Sequence, residues 1–369
     1  MDKWVEIDLN KLQHNVKALQ GYFDVPIMAV LKQNAYGLGA VKIGNFLEQS
    51  GINHFAVTHI EEGIELRDGG VRSPILVFAP PGIGKDELNS LWRHELTPSV
   101  YSLHFAEILN RLALEKDKPI DVHLKVDTGM GRMGFTPQEL LQAAERLKEL
   151  DGLNLKGIFT HYSNAFEKEM DYTKEQLDSF LSLVNQLENK GFEFTVKYSA
   201  NSMAALKFPA THMDMVNIGS AFLGNSTINP DVPLKKVYRT RVRVLQARQL
   251  EEGSYVGYSN TYKTGKNTHT AVLPIGYTDG FGLEKKIDSF RINDFIRQLY
   301  HLLKDFLKPA YSVFFDGKPL KIIGKTSMQL TVVETGNVQL KPGDIVDVYL
   351  NPLMANARID RVYVEGQPD

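Results

Sequence analysis

From residue 26 to residue 218 the chain repeats one cadence, a short apolar run followed by a helical pattern, and this constrains the fold more than any other feature. The apolar runs fall near 26–31, 53–58, 74–78, 97–100, 119–126, 155–160, 193–198 and 214–218. Helical spacing predicts helices near 41–49, 61–68, 84–93, 102–115, 137–149 and 171–189, after a first one over 10–21 carrying Leu12, Val16 and Leu19. The 171–189 helix is the clearest, with Leu177, Phe180, Leu181, Val184 and Leu187 on one face. Eight strands with intervening helices make the cadence of a (β/α)8 barrel of the TIM type. The fourth strand and the helix after the seventh are weakly signalled, so an open doubly wound sheet also fits the pattern.

A barrel places its chemistry at the C-terminal ends of its strands. Polar residues collect there: Lys32 after the first strand, His59 after the second, and Lys125-Val126-Asp127-Thr128-Gly129 at the fifth. His161 to Asn164 end the sixth, Tyr198 to Ser202 the seventh and Asn217 to Ser220 the eighth. Lys32 is the sharpest of these. An amine at the tip of a buried strand is costly to desolvate. A partly desolvated amine has a lowered pKa and can form a Schiff base with an aldehyde. The plain alternative is a surface lysine whose stem lies along the strand end.

After Asn229-Pro230 the pattern changes to strands near 236–249, 268–275, 312–316, 319–323, 329–334, 344–349 and 358–364. The division is therefore a barrel over 10–232 and a β-rich domain made of 1–9 and 233–369, with Met1 to Ile7 as an edge strand. An apolar helical insert at about 288–307 interrupts this second domain. Its Phe290, Ile292, Phe295, Ile296, Leu299, Leu302, Leu303 and Phe306 demand burial on more than one side or against a partner. A hydrophobic share of 43% over 369 residues supports full cores. A net charge of −2 gives no reason to expect nucleic acid or an anionic membrane as partner. No cysteine is present, so thiolate chemistry and disulfides are excluded. No apolar run approaches the length of a membrane span, and the reading is a cytoplasmic protein.

Several runs together resemble the alanine racemase family, fold-type III enzymes that use pyridoxal 5′-phosphate (PLP). They are Lys32 to Gly39, Leu124-Lys125-Val126-Asp127-Thr128-Gly129-Met130-Gly131-Arg132-Met133-Gly134, Val256-Gly257-Tyr258-Ser259-Asn260-Thr261-Tyr262 and Leu273-Pro274-Ile275-Gly276-Tyr277-Thr278-Asp279-Gly280. The resemblance implies that Lys32 bonds the cofactor, that Tyr36 is a phosphate ligand, and that Arg132 orients the cofactor's phenolic side and the catalytic tyrosine. It implies Tyr258 as that tyrosine, supplied by the other subunit of a homodimer with shared sites, and Tyr277 lining substrate entry. Lys125 is carbamylated in some members. Lys32 and Tyr258 would then serve as acid and base on opposite faces of an amino acid. Ser202, with the Gly219 and Ser220 amides, suits the phosphate, although Ser202 also reads as a helix cap. Asn201 belongs to the same cofactor set. His161 reads equally as a residue near the cofactor ring or as a structural strand-end histidine.

The sequence departs from the family at four places. Asn217 stands where an arginine faces the pyridine nitrogen, keeping a donor there without the charge. Tyr198 replaces a histidine linked to that arginine. Met328 keeps a substrate-pocket position, but Gln329 follows it in place of a carboxylate. Tyr349-Leu350-Asn351-Pro352-Leu353 stands where a helix with an Asn-Tyr-Glu motif is expected. The expectation is an isomerase that interconverts L- and D-alanine for the cell wall. The alternatives are a racemase of serine, lysine or ornithine, and a non-catalytic PLP-binding protein. A basic-amino-acid decarboxylase is disfavoured, because neither its cysteine nor a carboxylate at position 217 is present.

Overall fold

A computed structural model describes residues 1–80, 84–165, 167, 169–199, 201–224, 231–283, 292–307 and 312–366, with the backbone alone at 293, 294, 301, 302 and 304–307. Two compact units result, Asn10–Val237 and Met1–Leu9 with Tyr238–Gly366.

After strand β1 (Lys3–Asp8), the first unit contains β2 (Ile27–Val30), β3 (His54–Val57), β4 (Ile75–Val77), β5 (Thr97–Val100), β6 (Ile120–Lys125), β7 (Leu153–Phe159), β8 (Val196–Tyr198) and β9 (Val216–Ile218). These eight pair in parallel in the order β8-β7-β6-β5-β4-β3-β2-β9. A bridge between Tyr198 and Met215 nearly closes the ring. There the Asp214 amide donates to Lys197 O (3.0 Å) and the Lys197 amide to Asp214 Oδ2 (2.8 Å). The structure is thus a (β/α)8 barrel and not an open sheet. Parallel strands are sheathed by their crossover helices, so β2 and β4 are buried throughout.

The helices follow their apolar stripes. In Asp171–Asn189 the buried face is Leu177, Phe180, Leu183, Val184 and Leu187, each contributing roughly 1.5–3 kcal/mol by its burial. Leu181 falls off that face and is 43% exposed. Pro137–Lys148 starts with a reciprocal cap between Thr136 and Glu139 and a proline in its first turn.

Inside the barrel, Met28, Val30, Ala56, Leu76, Phe159, Tyr198 and Met215 form one cluster. Tyr198 stacks on Phe159 with centroids 5.1 Å apart. Its hydroxyl lies 2.8 Å from His123 Nδ1, so the two buried polar groups satisfy each other. Gly157 makes this possible, because a side chain there would meet the His123 ring at 2.7 Å. This is where the Tyr198 departure is absorbed.

The second unit holds a nine-stranded sheet and a two-stranded one. Two expectations fail here. The long strand predicted over 236–249 is two, Tyr238–Arg243 and Gln246–Leu250, which lie at separate places in the sheet. And β1 is no edge strand: it pairs antiparallel with Tyr238–Arg243 and parallel with Asp360–Val364. The insert is a helix over Ile292–Leu307, and residues 288–291 of the prediction fall outside the described residues, as does Asn229-Pro230. Ile292, Phe295, Ile296, Leu299, Tyr300 and Leu303 are exposed along it.

Candidate active site

The first barrel strand ends at Val30, and an unusual turn follows Lys32. Gln33, Asn34, Ala35 and Tyr36 are all left-handed, with φ between 50° and 56°. Non-glycine residues pay on the order of 1–2 kcal/mol each for this conformation. Local bonds offset the cost. Ala35 N–H donates to Leu31 O (2.9 Å), Gly39 N–H to Asn34 O (3.0 Å) and Ala40 N–H to Asn34 Oδ1 (2.6 Å). The turn carries the Tyr36 hydroxyl to the end of the neighbouring strand β9, where it accepts from the Ser220 amide.

That contact is one corner of a polar cradle. Gly219 N–H donates to Ser202 Oγ (2.9 Å), and any side chain at 219 would collide with the Tyr36 hydroxyl. Of the two readings of Ser202, the helix cap is excluded. Asn201 is the cap of Ser202–Lys207, its Oδ1 accepting from Met203 N–H (3.1 Å) and Ala204 N–H (3.0 Å). Burial pushes the Tyr36 phenol up to about 12, against the pull of the Ser220 amide, so it stays a neutral donor.

At β6 the chain leaves the barrel in a loop wound around one carboxylate. Asp127 Oδ1 accepts from the amides of Gly129 (2.9 Å), Met130 (2.8 Å) and Gly131 (3.1 Å), and Oδ2 from that of Arg132 (2.8 Å). Burial would raise this carboxyl, but the amides outweigh it and hold it below its usual range. The loop's consequence is a fixed Arg132.

These elements enclose a cavity of about 300 Å³ whose walls include Lys32, Tyr36, Lys125, Arg132, His161, Asn201, Ser202, Asn217 and Gly219. Sequence reading missed the apolar and small wall of Val30, Thr58, Phe78, Ala79, Met133 and Phe159, which carries no chemical signal of its own. Three cations converge, and among the described residues no carboxylate lines the walls. Burial, then the Arg132 charge, lowers the Lys32 amine, while Glu62 partly opposes them. Burial and Arg132 bring Lys125 down to about 8, and its Nζ donates to Phe78 O (3.3 Å). Burial, with Arg132, Lys32 and Lys125, brings His161 down to about 4, so its imidazole is neutral at physiological pH. Asn217 is buried and its Oδ1 has no partner among the described residues.

This chemistry fits PLP. Hydroxyls and amides at Tyr36, Ser202 and Ser220 suit a phosphate, a deprotonatable lysine suits an aldehyde, and the cationic lining suits a dianion.

The remaining predicted residues lie in the second unit, on neighbouring loops. Gly257, at φ 75°, precedes Tyr258 and packs beside Lys325. Tyr277 N–H donates to Ser327 O (3.1 Å), and Thr278 N–H to Met328 O (3.1 Å). The segment at 351–356 braces the same loop, with Asn356 N–H donating to Asp279 O (3.2 Å). Tyr258, Tyr277 and Met328 are 72%, 46% and 58% exposed.

Residues 7–227 match the alanine racemase N-terminal domain and residues 237–362 the alanine racemase C-terminal domain. Alanine racemase 1 of Caldanaerobacter subterraneus subsp. tengcongensis is 32% identical over 343 residues, covering 91% of this chain and 82% of that protein. The alanine racemase of Clostridium difficile 630 superposes with a TM-score of 0.86 at 27% identity, covering 99% of this chain and 96% of that one. The enzyme from Bartonella henselae, solved with covalently bound pyridoxal phosphate, superposes at 0.81 with 25% identity, covering 99% of this chain and 100% of that one. A barrel with a lysine-bearing cationic cavity, a mainly-β second unit, and matches along both halves agree on one answer: the chain belongs to the alanine racemase family of PLP-dependent isomerases.

Proposed function

We propose that this chain interconverts L- and D-alanine, with Lys32 and Tyr258 as the two proton-carrying groups. The observation that carries this is the cavity itself, where an amine of lowered pKa and a hydroxyl-and-amide cradle share walls that hold cations and, among the described residues, no carboxylate. Bound PLP supplies the electron sink that acidifies the Cα–H of an attached amino acid. Lys32 would hold the cofactor through its amine, and the same amine would carry the proton on one face of the substrate Cα. Tyr36, Ser202 and the Ser220 amide hold the phosphate, with Gly219 keeping the approach open. Asn201 sets the short helix behind Ser202, and neutral His161 and Asn217 border the cavity without adding charge. Arg132 draws the substrate carboxylate.

Tyr258 serves the opposite face, and in this proposal it comes from a second copy. Its 72% exposure, beside exposed Tyr277 and Met328, suits a face that a homodimer covers, with these two residues narrowing the entry. Among the described residues no helix is long and apolar enough to cross a membrane. Cytoplasmic supply of D-alanine for the cell wall completes the proposal.

The test is α-proton exchange of L-alanine in deuterated water, with chiral analysis of the product. Wild-type protein shows the visible absorption of lysine-bound PLP and makes deuterated D-alanine; Lys32→Ala loses both. Tyr258→Phe keeps the absorption and loses roughly a hundredfold or more in racemisation. A strong preference for serine, lysine or ornithine over alanine sinks the substrate assignment.

A further inference from the structure

Glu62 belongs to none of the predicted site residues, yet it is tied directly to the turn that presents Lys32. It sits in the first turn of the helix Ile60–Asp68, which follows the second barrel strand. Its Oε2 accepts from the amides of Thr58 (2.8 Å) and His59 (3.1 Å) at the end of that strand. Its Oε1 reaches across to the first strand's turn and accepts from the amide of Gln33 (2.5 Å). Gln33 is the residue after Lys32 and the first of the four left-handed residues.

We propose that Glu62 is a positioning residue for Lys32, its carboxylate clamping the left-handed turn to the neighbouring strand so that the amine is held in place for the cofactor. A cap role alone uses the Thr58 and His59 amides and gives no reason for the third bond. A carboxylate is also the side chain this task needs. It accepts with both oxygens, whereas the isosteric glutamine has one acceptor and would turn its NH2 toward an N–H. The carboxylate also opposes the burial and Arg132 charge that lower the Lys32 amine. The inference rests on Lys32 being the cofactor lysine, and the controls separate the two.

The experiment compares wild type, Glu62→Gln, Glu61→Gln and the double variant Glu62→Gln/Gln33→Gly. Glycine takes φ near +50° without penalty, so it relieves the strain that the clamp holds. In Glu62→Gln the dissociation constant for PLP, read by absorbance titration, rises about tenfold, and kcat falls more than KM changes. Adding Gln33→Gly recovers at least about threefold of the affinity, which a lost helix cap would not allow. In cofactor-free protein the pH at which Lys32 loses its proton, read by NMR of the 13C-methylated amine, moves down in Glu62→Gln and stays put in Glu61→Gln. Unchanged PLP affinity in Glu62→Gln, or a loss that Gln33→Gly leaves untouched, overturns the proposal. If Glu62→Gln does not fold, hydrogen exchange in the wild type decides: a Gln33 amide exchanging as fast as a free one rules the clamp out. Failure of wild type to bind PLP through Lys32 would instead overturn the functional reading.

Discussion

Lys125 shows how the empty-charge bookkeeping of the cavity reaches stability. Its amine titrates near 8 when folded, against an ordinary 10.5, because burial and the Arg132 charge disfavour the cation. Between these values the folded chain binds fewer protons than the unfolded one, so stability of the cofactor-free protein rises with pH across that window. Below about 8 the full cost of the buried cation is present, roughly 3 kcal/mol. Lys125→Met therefore stabilises cofactor-free protein at pH 7 and flattens the rise toward pH 10, as urea denaturation at the two pH values will measure. Gly219 makes a steric prediction at the same scale. Gly219→Ala forces its methyl group against the Tyr36 hydroxyl and ring. We expect PLP affinity to fall roughly ten- to a hundredfold with an unchanged far-ultraviolet circular dichroism spectrum, since overpacking costs about 1–3 kcal/mol.

At the level of elements, the Asp127 loop is the part whose geometry depends on one side chain. Asp127→Ala leaves four amides without their acceptor and frees Arg132. The expected result is a loss of roughly ten- to a hundredfold in kcat/KM for alanine at normal thermal stability, from steady-state kinetics and a melting curve. Which elements could be read beforehand follows from what specifies them. Strands such as Ile27–Val30 and Ile75–Val77 are apolar on both faces, and helices such as Asp171–Asn189 carry their stripe in sequence, so local pattern sufficed. The site residues of the first unit were legible through the order of their motifs, because barrel topology gathers strand ends. The turn at Gln33–Tyr36 was not legible: its residues do not prefer the left-handed region, and the bonds that hold it include one from Glu62, far along the chain. The apolar alternation changes phase at adjacent Val244 and Leu245, where Tyr238–Arg243 gives way to Gln246–Leu250. Asn201 and Ser202 are equally good caps by type, and only their partners in the fold tell them apart: the Met203 and Ala204 amides for Asn201, the Gly219 amide for Ser202.

For the whole molecule, shared sites make a quantitative prediction. If one copy supplies Lys32 and the other Tyr258, a Lys32→Ala/Tyr258→Phe heterodimer has one intact site and one doubly damaged. Refolding the two inactive variants together in equal amounts should then recover about a quarter of wild-type activity. A mixture that stays inactive shows that each site draws on its own chain. The division into two units also has a consequence in time. Trp4 pairs with Asp360, and Asp8 with Val364, so β1 finds this partner only after the whole of the intervening chain has been made. At roughly 5–20 residues per second, a ribosome takes tens of seconds to cover that distance. Once synthesis has passed Val237, Asn10–Val237 has all of its strands available and can close, while Lys3–Asp8 still waits for Asp360–Val364. Translation thus sets the order of assembly: the unit that carries Lys32 comes first, and the unit that carries Tyr258 is completed once Asp360–Val364 has left the ribosome.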